Sequence, residues 1–314
     1  MIPLDPKAQA LLTAIAAAGD QPVQVMTVEK ARKLIESGYE KIKQPLQEIG
    51  SIEERSVPGP GNDIMLRIYT PFGHGPFPVL MFIHGGGWVL FSPKHYDPIC
   101  THLCAGAQCV VVSVYYRRSP ETKFPGALND LTETLQWLKN HAAEIHGDAS
   151  RIIIAGDSAG ANLAAAACLK NRDECGPPLL AQALIYPATD WYDPPTPSFI
   201  EFSDGYSLTR DAMVWFWEQY LESKSQVSDP YAVPMKAASL KGLPDALVIV
   251  AGYDPLKDEG IRYAEKLSNE GVETTLLKYE DMIHGFMSYL GILDQASLAI
   301  QQICGWLKQK YNRV

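Results

Sequence analysis

The chain has 314 residues, 46% of them hydrophobic, enough to bury a substantial core as one large domain or two small ones. Its formal net charge of −9, with no basic run anywhere, argues against a nucleic-acid or anionic-membrane partner. The longest apolar stretch, Val79 to Phe91, is interrupted by His84 and three glycines and is too short to span a bilayer.

Taken in chain order, the opening Met-Ile-Pro-Leu-Asp-Pro-Lys lacks a cationic leader. The Ala-rich run from Ala8 to Ala18 therefore reads as an amphipathic helix rather than a signal segment. Residues 6–18 and 27–43 are expected to be two helices, separated by Gly19-Asp20-Gln21-Pro22. In the second, Val28, Ala31, Leu34, Ile35 and Ile42 recur at near-helical spacing while charged residues fill the other face. Residues 48–57 and 64–69 flank the turn cluster at 58–63 and read as an antiparallel hairpin at a sheet edge.

Val79 to Ile83 and Cys109 to Tyr115 are continuous apolar runs, as expected of strands buried on both faces. Helices are expected near Pro98–Ala107 and Leu128–His141. Beyond the strand at 180–186 the alternation breaks. Residues 187–234 carry many prolines, three tryptophans and one clear helix near Thr209–Leu221. An excursion of that length reads as a lid or cap. Alternation resumes with strands at 246–251 and 273–278 and helices at 258–269 and 293–310. Strand–helix alternation from residue 78 onward predicts a mostly parallel, doubly wound sheet.

Six cysteines lack the close pairing of a zinc site and are too few for a disulfide framework, so they are expected as buried thiols in a cytoplasmic protein.

Chemistry centres on residues 152–162. A β-branched run leads into Gly156-Asp157-Ser158-Ala159-Gly160, and an alanine-rich helix leads out. Such a sharp turn places Ser158 at its apex with Oγ exposed, and its close packing demands the flanking glycines. A serine hydroxyl needs a base to take its proton, and the base needs a third group to orient it. In α/β sheets such groups collect at the carboxyl ends of strands. Asp254 follows the strand at 246–251, and His284 lies just past the one at 273–278. The order Ser, Asp, His is the one this architecture requires. Asp258 suits helix capping better, and Asp281 is a weaker alternative.

His84-Gly85-Gly86-Gly87-Trp88 follows a buried strand. Three consecutive glycines cost conformational entropy but let backbone N–H groups approach a substrate oxygen. An oxyanion hole is expected from Gly85, Gly86, Gly87 and Ala159, with the Gly86, Gly87 and Ala159 N–H groups as donors. His84 is expected to shape the loop without transferring protons. Trp88, Asp157, Tyr186, Tyr206 and Trp215 are the expected pocket residues.

These motifs, with Tyr116-Arg117-Arg118-Ser119-Pro120-Glu121, Phe124 to Asp130, Gly252 to Gly260 and His284-Gly285-Phe286, resemble the hormone-sensitive-lipase-like esterases of the α/β-hydrolase superfamily. They spread over roughly residues 48–310. The resemblance implies one α/β-hydrolase domain over residues 1–314 with an eight-stranded, mostly parallel sheet and an antiparallel N-terminal edge. It implies a helical cap from about 1–45 plus about 188–234, and Ser158, Asp254 and His284 as a triad. It also implies hydrolysis of short- to medium-chain carboxylic esters without cofactor or metal, and a possible homodimer. Two departures stand out: Ala161 replaces the usual glycine, and Arg118-Ser119 replaces Leu-Ala. An amidase or peptidase with the same triad, or a ligand receptor on this scaffold, stays open at this point.

Overall fold

The computed structural model describes residues 2–41 and 44–313. In chain order it runs α1 (Pro6–Ala18), α2 (Val28–Lys41), β1 (Ser51–Val57), β2 (Ile64–Thr70), β3 (Phe77–Ile83), α3 (Asp97–Ala107) and β4 (Val110–Val114). There follow α4 (Gly126–His141), β5 (Gly147–Asp157), α5 (Ala159–Asp173), β6 (Ala181–Ile185), α6 (Pro197–Glu201) and α7 (Arg210–Tyr220). The chain closes with β7 (Asp245–Tyr253), α8 (Lys257–Asn269), β8 (Thr274–Ile283) and α9 (Asp294–Tyr311).

The strands form one eight-stranded sheet in the order β1-β2-β4-β3-β5-β6-β7-β8. β2 is antiparallel to both β1 and β4, and every pair from β4 to β8 is parallel. Period-two alternation feeds two cores. Val79, Met81 and Ile83 of β3 enter the core that holds Leu131, Leu135 and Leu138 of α4 and most of α5. Leu80 and Phe82 enter the opposite core, with Leu103 of α3, Ile300 and Ile303 of α9, and Ala8 and Leu12 of α1. Continuous apolar strands follow from that two-sided burial. No described helix is long and apolar enough to cross a membrane.

The expected elements are all present, with shifted ends. Residues 42 and 43 of the second expected helix lie outside the described residues. β5 begins at Gly147, well before the apolar run, because Gly147 already pairs with Phe77 across a register shift. The short α6 has no sequence periodicity to reveal it; Thr196 caps it, its Oγ1 accepting from Phe199 N–H.

The turn between β5 and α5 is tightly packed. A Cβ on Gly160 would lie 2.1 Å from the Ile83 carbonyl oxygen and 2.6 Å from that of His84. Gly160 thus lets α5 start against the end of β3. One turn later, Asn162 Nδ2 donates to the carbonyls of Ala188 and Ala232 at 2.8 and 3.0 Å. A single buried side chain therefore ties both ends of the 188–232 excursion to the same helix.

Gly160→Ala is expected to cost about 3 kcal/mol or more, since backbone rather than a flexible side chain must move. A urea midpoint within error of wild type would show that the turn is looser than this packing.

Candidate active site

Ser158 stands at the apex of that turn with φ 55° and ψ −120°, a conformation an L-residue adopts only under constraint. Its own N–H is spent on the Ile185 carbonyl at 2.8 Å, which holds the backbone there. Its side chain is partly exposed. Ser158 Oγ lies 2.9 Å from His284 Nε2. His284 Nδ1 lies 2.7 Å from Asp254 Oδ2. A carboxylate only accepts, so Nδ1 carries the proton and Nε2 turns its lone pair toward the serine hydroxyl. Asp254 is buried at the end of β7, and its other oxygen accepts the Leu256 N–H at 2.8 Å. Backbone and imidazole together fix the carboxylate.

The two other aspartates are engaged elsewhere. Asp258 accepts from Ser198 N–H in α6, and Asp281 accepts from the Gln295 side chain. Neither reaches His284 by a hydrogen bond.

Beside Ser158, the N–H groups of Gly86, Gly87 and Ala159 make no hydrogen bond among the described residues. Ala159 opens α5, so its N–H has no partner within the helix. Gly86 and Gly87 have φ of 101° and 60°, which glycine tolerates. A Cβ on Gly87 would meet the Phe216 ring at 2.1 Å. Gly85 differs from the expectation. Its N–H already donates to Asp157 Oδ1 at 2.8 Å and to Tyr96 Oη at 3.1 Å, so it is not an open donor.

Asp157 is likewise not a pocket residue. It is 3% exposed, and its second oxygen accepts from Tyr96 Oη at 3.0 Å. Burial raises its carboxyl to about 6, against the hydrogen bonds from Tyr96 and Gly85 that favour the ion. Trp88 is fully buried, stacked at 4.3 Å on Tyr220 of α7, and faces no open cleft. Tyr186 is also sealed; its ring lies against the His284 imidazole at 4.8 Å. It backs the histidine instead of lining a pocket. Tyr206 and Trp215 are half-buried, the former against Phe202 and Tyr253, the latter against Phe216. Sequence spacing overestimated exposure here because aromatic residues near a motif read the same whether they face the cleft or brace it.

His84 is buried, and its Nδ1 donates to the Gly85 carbonyl at 2.8 Å. Burial pulls it down to about 3, so it stays neutral and transfers no proton at working pH. Tyr116 stacks on it at 4.4 Å and donates to its backbone carbonyl at 3.0 Å. Tyr96 and Phe216 were missed in the sequence, since nothing in their local spacing marks them.

The chain matches the α/β-hydrolase-fold family over residues 80–288. It is 37% identical over 269 residues to the carboxylic ester hydrolase LipN of Mycobacterium tuberculosis, covering 84% of this chain and 71% of LipN. It is 40% identical over 254 residues to the carboxylesterase NlhH of the same organism, covering 79% of each. The chain belongs to the hormone-sensitive-lipase-like carboxylesterases of the α/β-hydrolase superfamily. This carboxylesterase superposes on the hyperthermophilic esterase of Pyrobaculum calidifontis with a TM-score of 0.93 at 37% identity, covering 98% and 99% of the two chains. A thermostable esterase from Pseudomonas putida gives 0.94 at 36%, covering 99% and 98%. The carboxylesterase also has open grooves of about 610 and 590 Å³, lined by residues such as Phe72 and His146, or Gln47 and Lys308; neither reaches Ser158.

The Asp157 carboxyl binds its proton more tightly folded than unfolded, where it titrates near 3.8. Its contribution to stability is therefore full below about pH 4 and is lost as pH rises through about 6. The loss is on the order of 3 kcal/mol for a shift of this size. Unfolding of wild type and Asp157→Asn, followed from pH 4 to 7, should show wild type losing stability relative to the variant. Parallel curves would contradict this.

Proposed function

We propose that the carboxylesterase hydrolyses short- to medium-chain esters through an acyl-enzyme on Ser158. His284 takes the serine proton as Oγ attacks the ester carbonyl, then gives it to the departing alcohol. Asp254 holds the imidazole in the productive tautomer and stabilises the imidazolium that forms. The Gly86, Gly87 and Ala159 N–H groups receive the oxyanion of the tetrahedral intermediate. Water, activated by the same histidine, then releases the acid. The observation that carries this reading is the continuous chain from Asp254 through His284 to Ser158 Oγ, with links of 2.7 and 2.9 Å.

Residues 1–45 and 188–234 form the cap in this reading. Support comes from Phe216 of α7 seated on Gly87, and from Leu4, Leu11 and Tyr206 packed in one core with Phe286. The six unpaired thiols, five of them buried, fit a reducing cytoplasmic setting. The acidic surface balance favours small-molecule substrates over nucleic acid. A homodimer is also proposed, through β8, which ends the sheet with a strand edge free to pair with a second copy.

Ser158→Ala is expected to lower kcat on p-nitrophenyl esters by at least about 10⁴-fold, with unchanged folding. Turnover should peak at short acyl chains in the wild type. A Ser158→Ala variant with wild-type turnover would sink the acyl-enzyme. Sedimentation of wild type beside Leu277→Arg tests the dimer: it predicts a dimer that the charged edge converts to monomer, and a monomeric wild type would refute it.

A further inference from the structure

The Gly86 and Gly87 donors sit in a tight turn. Val89 N–H and Leu90 N–H both donate to the Gly86 carbonyl, at 3.1 and 2.8 Å. Ser119 N–H donates to the Trp88 carbonyl at 2.9 Å, which braces the turn against the loop that follows β4. Neither the Val89 nor the Ser119 carbonyl accepts a hydrogen bond within this brace. Both belong to buried residues, so each needs a donor.

One side chain supplies both. Arg32, in α2 of the N-terminal region, donates from Nε to the Val89 carbonyl at 2.9 Å and from Nη2 to the Ser119 carbonyl at 2.9 Å. The remaining edge of the guanidinium grips Glu121, with Nη1 at 2.7 Å and Nη2 at 2.9 Å from its two oxygens. The grip holds the Glu121 carboxyl below its usual range. Its partners lie 57, 87 and 89 residues away in sequence. The Arg32 side chain is only 21% exposed, whereas Glu121 is 62% exposed. The ion pair alone therefore contributes little, and its use is to aim the fork.

We propose that Arg32 is a positioning residue for the oxyanion hole: by holding the Val89 and Ser119 carbonyls it locks the turn that presents the Gly86 and Gly87 N–H groups. The inference rests on the reading of Ser158, Gly86 and Gly87 given above. It makes α2 part of the machinery that sets catalytic rate, although α2 contributes no group to the reaction. A rigid planar fork meets three acceptors in fixed directions, and a lysine ammonium on a flexible stem does not reproduce that geometry. Without Arg32 two buried carbonyls lose their donor, and the turn relaxes toward water or toward each other. An oxyanion donor displaced by a fraction of an ångström stabilises the transition state less but leaves ground-state binding nearly intact.

The test compares Arg32→Lys, Arg32→Gln and Glu121→Gln with wild type on p-nitrophenyl acetate and butyrate, alongside thermal unfolding. Both Arg32 variants are expected to fold, with kcat reduced roughly five- to fifty-fold and KM within about two-fold, and lysine failing to rescue. Glu121→Gln keeps both carbonyl contacts but loosens the fork, and a two- to five-fold loss of kcat is expected. It stands in if the Arg32 variants do not fold. Folded Arg32 variants with wild-type kcat, or, failing those, an unchanged Glu121→Gln, would overturn the proposal. So would a loss confined to KM. If wild type itself showed no Ser158-dependent turnover, the reading of the whole site would fall first, and this inference with it.

Discussion

The approach of α5 to the end of β3 is the constraint on which the site depends. With hydrogen alone at Gly160, the helix begins against the carbonyls of Ile83 and His84. That contact fixes three things at once. It sets the strained backbone of Ser158. It places the Ala159 N–H, at the helix start, beside the glycine loop that continues from β3. It also brings Asp157 within 2.8 Å of the Gly85 N–H. The Ser158 turn and the glycine loop are therefore one packed unit, held by a buried carboxylate and by van der Waals contact between backbones.

Three buried titratable groups around this unit are hydrogen-bonded to backbone: His84, Glu259 and Asp157. His84 is neutral and spends its N–H on the loop carbonyl. Glu259, buried under the start of the 188–232 excursion, is pushed well above the carboxylate range by burial while accepting the Thr189 N–H at 2.8 Å. Asp157 lies between these cases, near 6. Such groups stabilise less than apolar packing of equal volume would, but they specify which backbone groups meet. Their directional bonds hold the glycine loop and the Ser158 turn at fixed positions.

How far the site can be read from the sequence divides along the same physical line. The mostly parallel sheet, the strands with two-sided burial and the Ser, Asp, His order are legible, because apolar runs, glycine spacing and strand ends are local signals. Gly85 shows the limit. It is chemically the same as Gly86 and Gly87 in sequence, and only the partners Asp157 and Tyr96 separate it from them. Trp88, Tyr186 and Asp157 are expected pocket residues, yet all three side chains are buried. Arg32 left no local trace at all. Its three partners converge from beyond the oxyanion loop and from the Ser119–Glu121 segment, and no periodicity in α2 distinguishes it from Lys30 or Lys33 on the same charged surface.

The same convergence bears on how the proposed cap moves. α7 is joined to the oxyanion loop by the parallel stack of Trp88 on Tyr220 at 4.3 Å, by Trp217 at 4.5 Å, and by Phe216 against Gly87. Tyr220 also accepts the Phe124 N–H at 2.8 Å. Displacing α7 as a rigid lid would expose three fully buried aromatic rings, at roughly 2 kcal/mol or more for each. Opening by α7 is thus far costlier than opening by α1, whose only fully buried side chains are Ala8 and Leu12 and whose ties at Lys7–Asp294 and Asp5–Asp281 are exposed or backbone contacts. Asn162, gripping both Ala188 and Ala232, adds a further anchor at the base of the excursion. In the proposed cap, the N-terminal segment, whose Ile2 carbonyl accepts from the Tyr253 hydroxyl at 2.8 Å, is therefore the part that opens at the least cost.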